Sequence, residues 1–222
     1  MLMLQLRRLV YRHRVKGTAL QHCWQTPLPS TSKDWRQVSF LVVDAEMSSL
    51  DPATGELLSV GWVVIDDGAI RLDTARHFLI KAEQSVGQSA TIHNIRDCEI
   101  EDAPAPAAVL SKFLKAAAGR FLVFHNASLD IAFLNRVSRS EFNVPVLLPA
   151  VDTLLQEEAL MRRAEQPIQA GDLRLQACRD RYNLPHLPAH NALQDALATA
   201  ELLLAQAGHR ASGQSFPVKN LL

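Results

Sequence analysis

Val38-Ser-Phe-Leu-Val-Val-Asp-Ala-Glu46 decides the fold class. Its apolar run is continuous, rich in β-branched and aromatic residues, and ends in the polar segment after Glu46, as a buried strand does. Two further strands are expected over 57–65 and 69–80, flanking Asp66-Asp67-Gly68. Asp-Gly between apolar runs is a strong hairpin signal, so the chain opens with three successive strands, at least two of them antiparallel.

The rhythm then changes. Residues 104–118 carry apolar positions at helical spacing and close at Gly119, a natural residue just past a helix end. Residues 121–124 read as a fourth strand and 146–151 as a fifth, with helices over 127–137, 153–163, 172–182 and 191–207. Strands alternating with helices give an α/β architecture, a mixed five-stranded sheet with flanking helices, whose sites form at the carboxyl ends of strands.

Strand ends are where the carboxylates stand. Asp44 and Glu46 lie two residues apart, and a strand's two-residue period points both side chains to one face. Two adjacent anions are costly unless a cation or a proton lies between them, although Asp-x-Glu also ends strands by chance. Asp130 follows His125-Asn126 where the fourth strand runs into a helix; it serves equally as a first-turn acid favoured by the helix dipole. His190 and Asp195 flank the start of the last helix. On one ideal helix they would sit roughly 140° apart, so they converge only if His190 lies in the preceding loop. A lone surface imidazole is the plain alternative.

Taken together and in this order, these residues resemble the DEDDh, or DnaQ-like, exonucleases, which include the proofreading subunit of bacterial replicative polymerases. The likeness runs from about Phe40 to Ala205. It is supported by Thr91-Ile-His-Asn-Ile95, similar to the family's Ile-His-Gly-Ile segment, and by Val151-Asp-Thr153. The resemblance implies a ribonuclease H-like fold. It further implies Asp44, Glu46, Asp130 and Asp195 as ligands of two Mg²⁺ or Mn²⁺ ions and His190 as the group that activates water. Oxygen ligands suit such hard cations, a paired-ion site clamps an in-line displacement at phosphorus, and an imidazole near neutral pKa accepts the water's proton.

The resemblance also implies that Met47, Ser48, Ser49 and Leu50 approach the terminal nucleotide, with Ser49 standing where relatives carry glycine. His93, His125 and Asn126 are candidates to line the site, and each serves equally as a local backbone partner. The implied function is 3′→5′ exonuclease action on single-stranded DNA ends, with polymerase or repair proteins as partners. RNA trimming by the same chemistry and an inactive nuclease-fold binding module are the alternatives.

Three segments are expected: a basic extension over 1–37, the exonuclease domain over 38–208 and a tail over 209–222. The 23 Lys and Arg equal the 23 Asp and Glu. Up to Gln37, however, seven basic residues face Asp34 alone, a net +6, which leaves −6 for the remainder. The leucines of the extension suit a short amphipathic helix docked on the domain, or a basic arm on phosphates. Cys23, Cys98 and Cys178 are too dispersed for a disulfide framework, and neither a signal peptide nor a membrane-length apolar run is evident, which points to the cytoplasm.

Overall fold

The computed structural model describes residues 2–83, 95–187 and 191–222. Strands β1 (Phe40–Met47), β2 (Leu57–Asp66), β3 (Ala69–Leu79), β4 (Phe121–Phe124) and β5 (Ala150–Asp152) form one sheet in the order β3-β2-β1-β4-β5. The first three pair antiparallel, while β4 joins β1, and β5 joins β4, in parallel. Asp67 and Gly68 turn the β2-β3 hairpin with φ of 50° and 70°, the left-handed pair that matches strand twist in a two-residue loop.

Helices α1 (Leu2–Tyr11), α2 (Ala19–Gln25), α3 (Asp97–Glu101), α4 (Pro106–Ala117), α5 (Ala127–Phe142), α6 (Thr153–Arg163), α7 (Leu175–Asp180) and α8 (Ala192–Ala211) surround the sheet. β1 is covered on both faces, which is why its apolar run does not alternate. Leu41, Val43, Ala45 and Met47 pack with Leu20, Phe113, Leu114, Phe133 and Leu134 from α2, α4 and α5. Phe40 and Val42 face the other way, against Ala200, Leu203 and Ala207 of α8. Each valine, leucine, methionine and phenylalanine among them contributes roughly 1.5–3 kcal/mol on burial.

The segments set apart in the sequence belong to one body. Val15, Leu20 and Cys23 enter the core on the α4 side, and Arg8 docks α1 through two bonds to the Leu147 carbonyl, at 3.0 and 2.8 Å. At the other terminus Val218 and Leu221 are buried beside Trp35, and Asp34 accepts the Phe216 N–H at 2.7 Å. Among the described residues no helix is long and apolar enough to cross a membrane.

The fifth strand is shorter than the apolar run from Val146 predicts. Leu147 has φ 49°, which breaks extended geometry. Its neighbours bond to side chains instead: Val146 N–H to Asn135 Oδ1 and Val146 carbonyl to Trp24 Nε1, both at 2.8 Å. Helix α3, too short to show a period, was not expected, whereas α5 and α8 outrun their expected ends.

Candidate active site

The two-residue period that sets Phe40 and Val42 under α8 carries Asp44 and Glu46 onto that same face. Helix α8 delivers Asp195. Asn191 caps the helix, its side chain accepting the N–H groups of Leu193 and Gln194, both at 3.2 Å, and this leaves Asp195 in the first turn. Gly61 lets the helix come so close. It pairs with Asp44 across the sheet, and a Cβ built on it would lie 2.3 Å from Leu193 N and 2.4 Å from the Ala192 carbonyl carbon. As a result, carboxylate oxygens of Asp44, Glu46 and Asp195 lie within 4.8 Å of one another.

Asp130 arrives from the third side, in the first turn of α5. The turn before it is held by Asp152, whose two carboxylate oxygens accept the N–H groups of Asn126, Ala127 and Leu154 at 3.0, 2.9 and 3.0 Å. Asn126 adopts a left-handed conformation, φ 73°, to make that turn.

The electrostatics are those of anions waiting for a counter-charge. Burial, then the charges of Asp130, Asp195 and Glu46, raise the Asp44 pKa well above the ordinary carboxylate range. Burial likewise raises Asp130; backbone hydrogen bonds from Asp130 itself and from Ala45 oppose this, and the charges of Asp152 and Glu46 add to it. Asp130 Oδ1 is buried with no hydrogen-bond partner among the described residues. An all-oxygen donor set with an orphaned carboxylate oxygen fits a hard divalent cation.

A family model described as exonuclease matches residues 41–203. The chain belongs to the exonuclease family. It is 30% identical to DNA polymerase III subunit epsilon of Rickettsia typhi, covering 78% of this chain and 75% of that one. It is 28% identical to a PolC-type DNA polymerase III of Thermotoga petrophila over 79% of this chain, yet spans only 12% of that polymerase. In fold it is similar to a zinc-bound E. coli ExoI–ssDNA complex, with a TM-score of 0.65 at 16% identity over 79% of this chain and 41% of the other.

In this exonuclease the expected residues fare differently. Asp44, Glu46 and Asp195 converge, and Asp130 is coupled to them through charge. His190 and His93 lie outside the described residues. Met47 is the last residue of β1, followed by Ser48, Ser49 and Leu50 in the loop to β2.

His125 has both ring nitrogens within hydrogen-bonding distance of protein groups. Its Nε2 lies 2.8 Å from the Leu173 carbonyl and its Nδ1 2.9 Å from Thr153 Oγ1. The carbonyl can only accept, so Nε2 donates to it, while Nδ1 lies against a threonine hydroxyl that also donates to the Phe124 carbonyl at 3.1 Å; burial lowers the ring's pKa. His125 therefore ties β4 to α6 and to the 173 region. Asn126 serves the turn as well: its Oδ1 accepts the Ser128 hydroxyl at 3.0 Å.

Gly61 and His77 lie outside every sequence motif. Gly61, and Asp152 of the Val151-Asp-Thr153 segment, build the site without touching chemistry. His77 pairs across the sheet with Gly61, hence shares the face of Asp44; burial lowers its pKa against the opposing pull of Glu46. Strand register carries the signal for Gly61 and His77, and register is set by pairing rather than by any local motif.

The raised carboxylates have a consequence for stability. The folded, metal-free exonuclease binds more protons at Asp44 and Asp130 than the unfolded chain, whose aspartates titrate near 3.8. Their contribution to stability is thus fully present below that value and is lost as pH rises through the folded-state values. The midpoint of thermal unfolding in EDTA is expected to fall more steeply than in Asp44→Asn as pH rises above the unfolded value of 3.8, and Mn²⁺ is expected to close the gap once the carboxylates are ionised. Parallel pH profiles for the two proteins would contradict this.

Proposed function

We propose that this exonuclease removes nucleoside monophosphates one at a time from the 3′ ends of single-stranded nucleic acid, DNA favoured over RNA. The observation that carries this is the convergence of Asp44, Glu46 and Asp195 oxygens within 4.8 Å, with Asp130, whose Oδ1 is orphaned, interacting electrostatically with Asp44 and Glu46. These four carboxylates would hold two Mg²⁺ or Mn²⁺ ions. When bound, such ions supply positive charge at the scissile phosphate and acidify an attacking water.

The chain's own residues do the rest. The four carboxylates neutralise and orient the cations. His190 takes the proton of the attacking water as the phosphodiester opens. The Met47–Leu50 segment receives the terminal nucleotide, and His93 is a further candidate to contact it. Polymerase or repair proteins are the natural partners, since the epsilon relative is by name a polymerase subunit.

The test is degradation of 5′-labelled single-stranded DNA and RNA of matched sequence with Mg²⁺, Mn²⁺ or EDTA. A metal-dependent ladder shortening from the 3′ end is expected, stronger on DNA. No cleavage of either by a folded protein would turn the assignment to a binding module. His190→Ala is expected to lower kcat by about 10²–10⁴-fold while KM changes little, the signature of a lost proton acceptor; an equal change in both would make it a substrate-positioning group.

A further inference from the structure

The loop that leaves Glu46 is closed on itself. Ser48 N–H donates to the Glu56 carbonyl at 3.0 Å, and Glu56 N–H to Ser48 Oγ at 2.9 Å. Inside it Asp51 accepts the Ala53 N–H at 2.9 Å and the Thr54 hydroxyl at 3.2 Å, and its carbonyl accepts the Gly55 N–H at 2.8 Å. At its tip Leu50 is 78% exposed, an apolar side chain standing in solvent four residues after a carboxylate of the site.

Internal bonds shape a loop but do not aim it. Two contacts with α5 do. Arg136 Nη1 donates to the carbonyls of Pro52, at 3.2 Å, and Gly55. Gly55 is buried against Phe133, where a Cβ would lie 3.0 Å from Phe133 Cζ and 2.9 Å from the Ser49 carbonyl oxygen. Phe133 and Arg136, three residues apart and so neighbours on the surface of α5, stand on the same helix as Asp130.

We infer that Arg136 is a positioning residue, which braces the Ser48–Glu56 loop on the helix that delivers Asp130 and so holds the loop's apolar tip in fixed relation to the carboxylates. The inference rests on the proposed nuclease reaction for its consequence: the brace governs grip on the substrate end and leaves the chemistry at the carboxylates unchanged. Both carbonyls are served by the one nitrogen Nη1, so an ammonium on a shorter stem can replace part of the brace.

The experiment compares Arg136→Met, Arg136→Lys and Gly55→Ala with the unaltered full chain. Steady-state cleavage of a single-stranded oligonucleotide, calorimetric titration with Mn²⁺ alone and amide hydrogen exchange are measured on each. Arg136→Met is expected to raise KM by about 5–20-fold with kcat within about twofold, the pattern of lost uniform binding. Mn²⁺ affinity stays unchanged and amides of the 48–56 loop exchange faster, with α5 unaffected. Arg136→Lys restores part of the loss, and Gly55→Ala, which forces the loop off Phe133 with the arginine intact, reproduces the Met pattern.

Unchanged KM and unchanged loop exchange in Arg136→Met would overturn the brace. Matching losses in kcat and Mn²⁺ affinity would overturn it too, by making Arg136 a support of the carboxylates. If the unaltered protein cuts no nucleic acid, the nuclease assignment fails by itself, and the exchange measurement alone then decides the brace.

Discussion

Asp44→Asn is expected to lower kcat/KM by at least about 10³-fold and, in the same protein, to raise the thermal stability of the metal-free state. The loss follows from position. Asp44 sits within 4.8 Å of Glu46 and Asp195, oxygen to oxygen, and an amide in its place offers one neutral acceptor where a cation needs charge. A deficit of 10³ corresponds to roughly 4 kcal/mol of transition-state stabilisation, well within what bound cations supply.

The gain follows from the same crowding. Burial and three neighbouring carboxylates hold the Asp44 pKa well above its ordinary range, so near-neutral pH forces repulsion or proton uptake on the metal-free site. Asparagine removes that conflict at nearly constant volume. Calorimetric unfolding in EDTA and a Mn²⁺ titration check both halves. A variant that is inactive but also less stable without metal would place Asp44 among the structural supports of the fold.

Gly61→Ala is the second large effect, and it reaches the site without touching a carboxylate. The added methyl would meet Leu193 N at 2.3 Å and Leu193 Cα at 2.5 Å. These are backbone atoms at the start of α8, so no side-chain rotation relieves the overlap and the helix must move. Overpacking of a well-filled interior costs about 1–3 kcal/mol, and more where backbone must shift. Asp195 stands two residues farther along, in the same displaced first turn, and a displacement of about 1 Å is enough to cost roughly 10²-fold in rate. Mn²⁺ affinity is expected to fall with activity. Retained metal affinity and a shifted melting temperature alone would show that α8 slides without carrying Asp195 away.

Local pattern made much of this legible. The unbroken run before Asp44 marks a strand covered on both faces, and the Asp-Gly turn marks the hairpin beside it. The spacing of Asp44 and Glu46 shows a shared face before any partner strand is known. Where pattern misled, a local conformation had overruled it. The left-handed Leu147 ended a strand that its apolar neighbours announced.

By itself, then, the order of residues determined which strand ends bear acid and that a mixed sheet would display them, because side-chain period and turn chemistry are properties of a few consecutive residues. Only the tertiary structure decided that Asp195 meets Asp44, that Asp152 shapes the turn before Asp130, and that Arg136 holds the loop beyond Glu46. Each of these joins residues distant in the chain through strand register or close helix approach. At Gly61 the deciding feature is an absent side chain, whose meaning appears only when the helix it admits is lying on it.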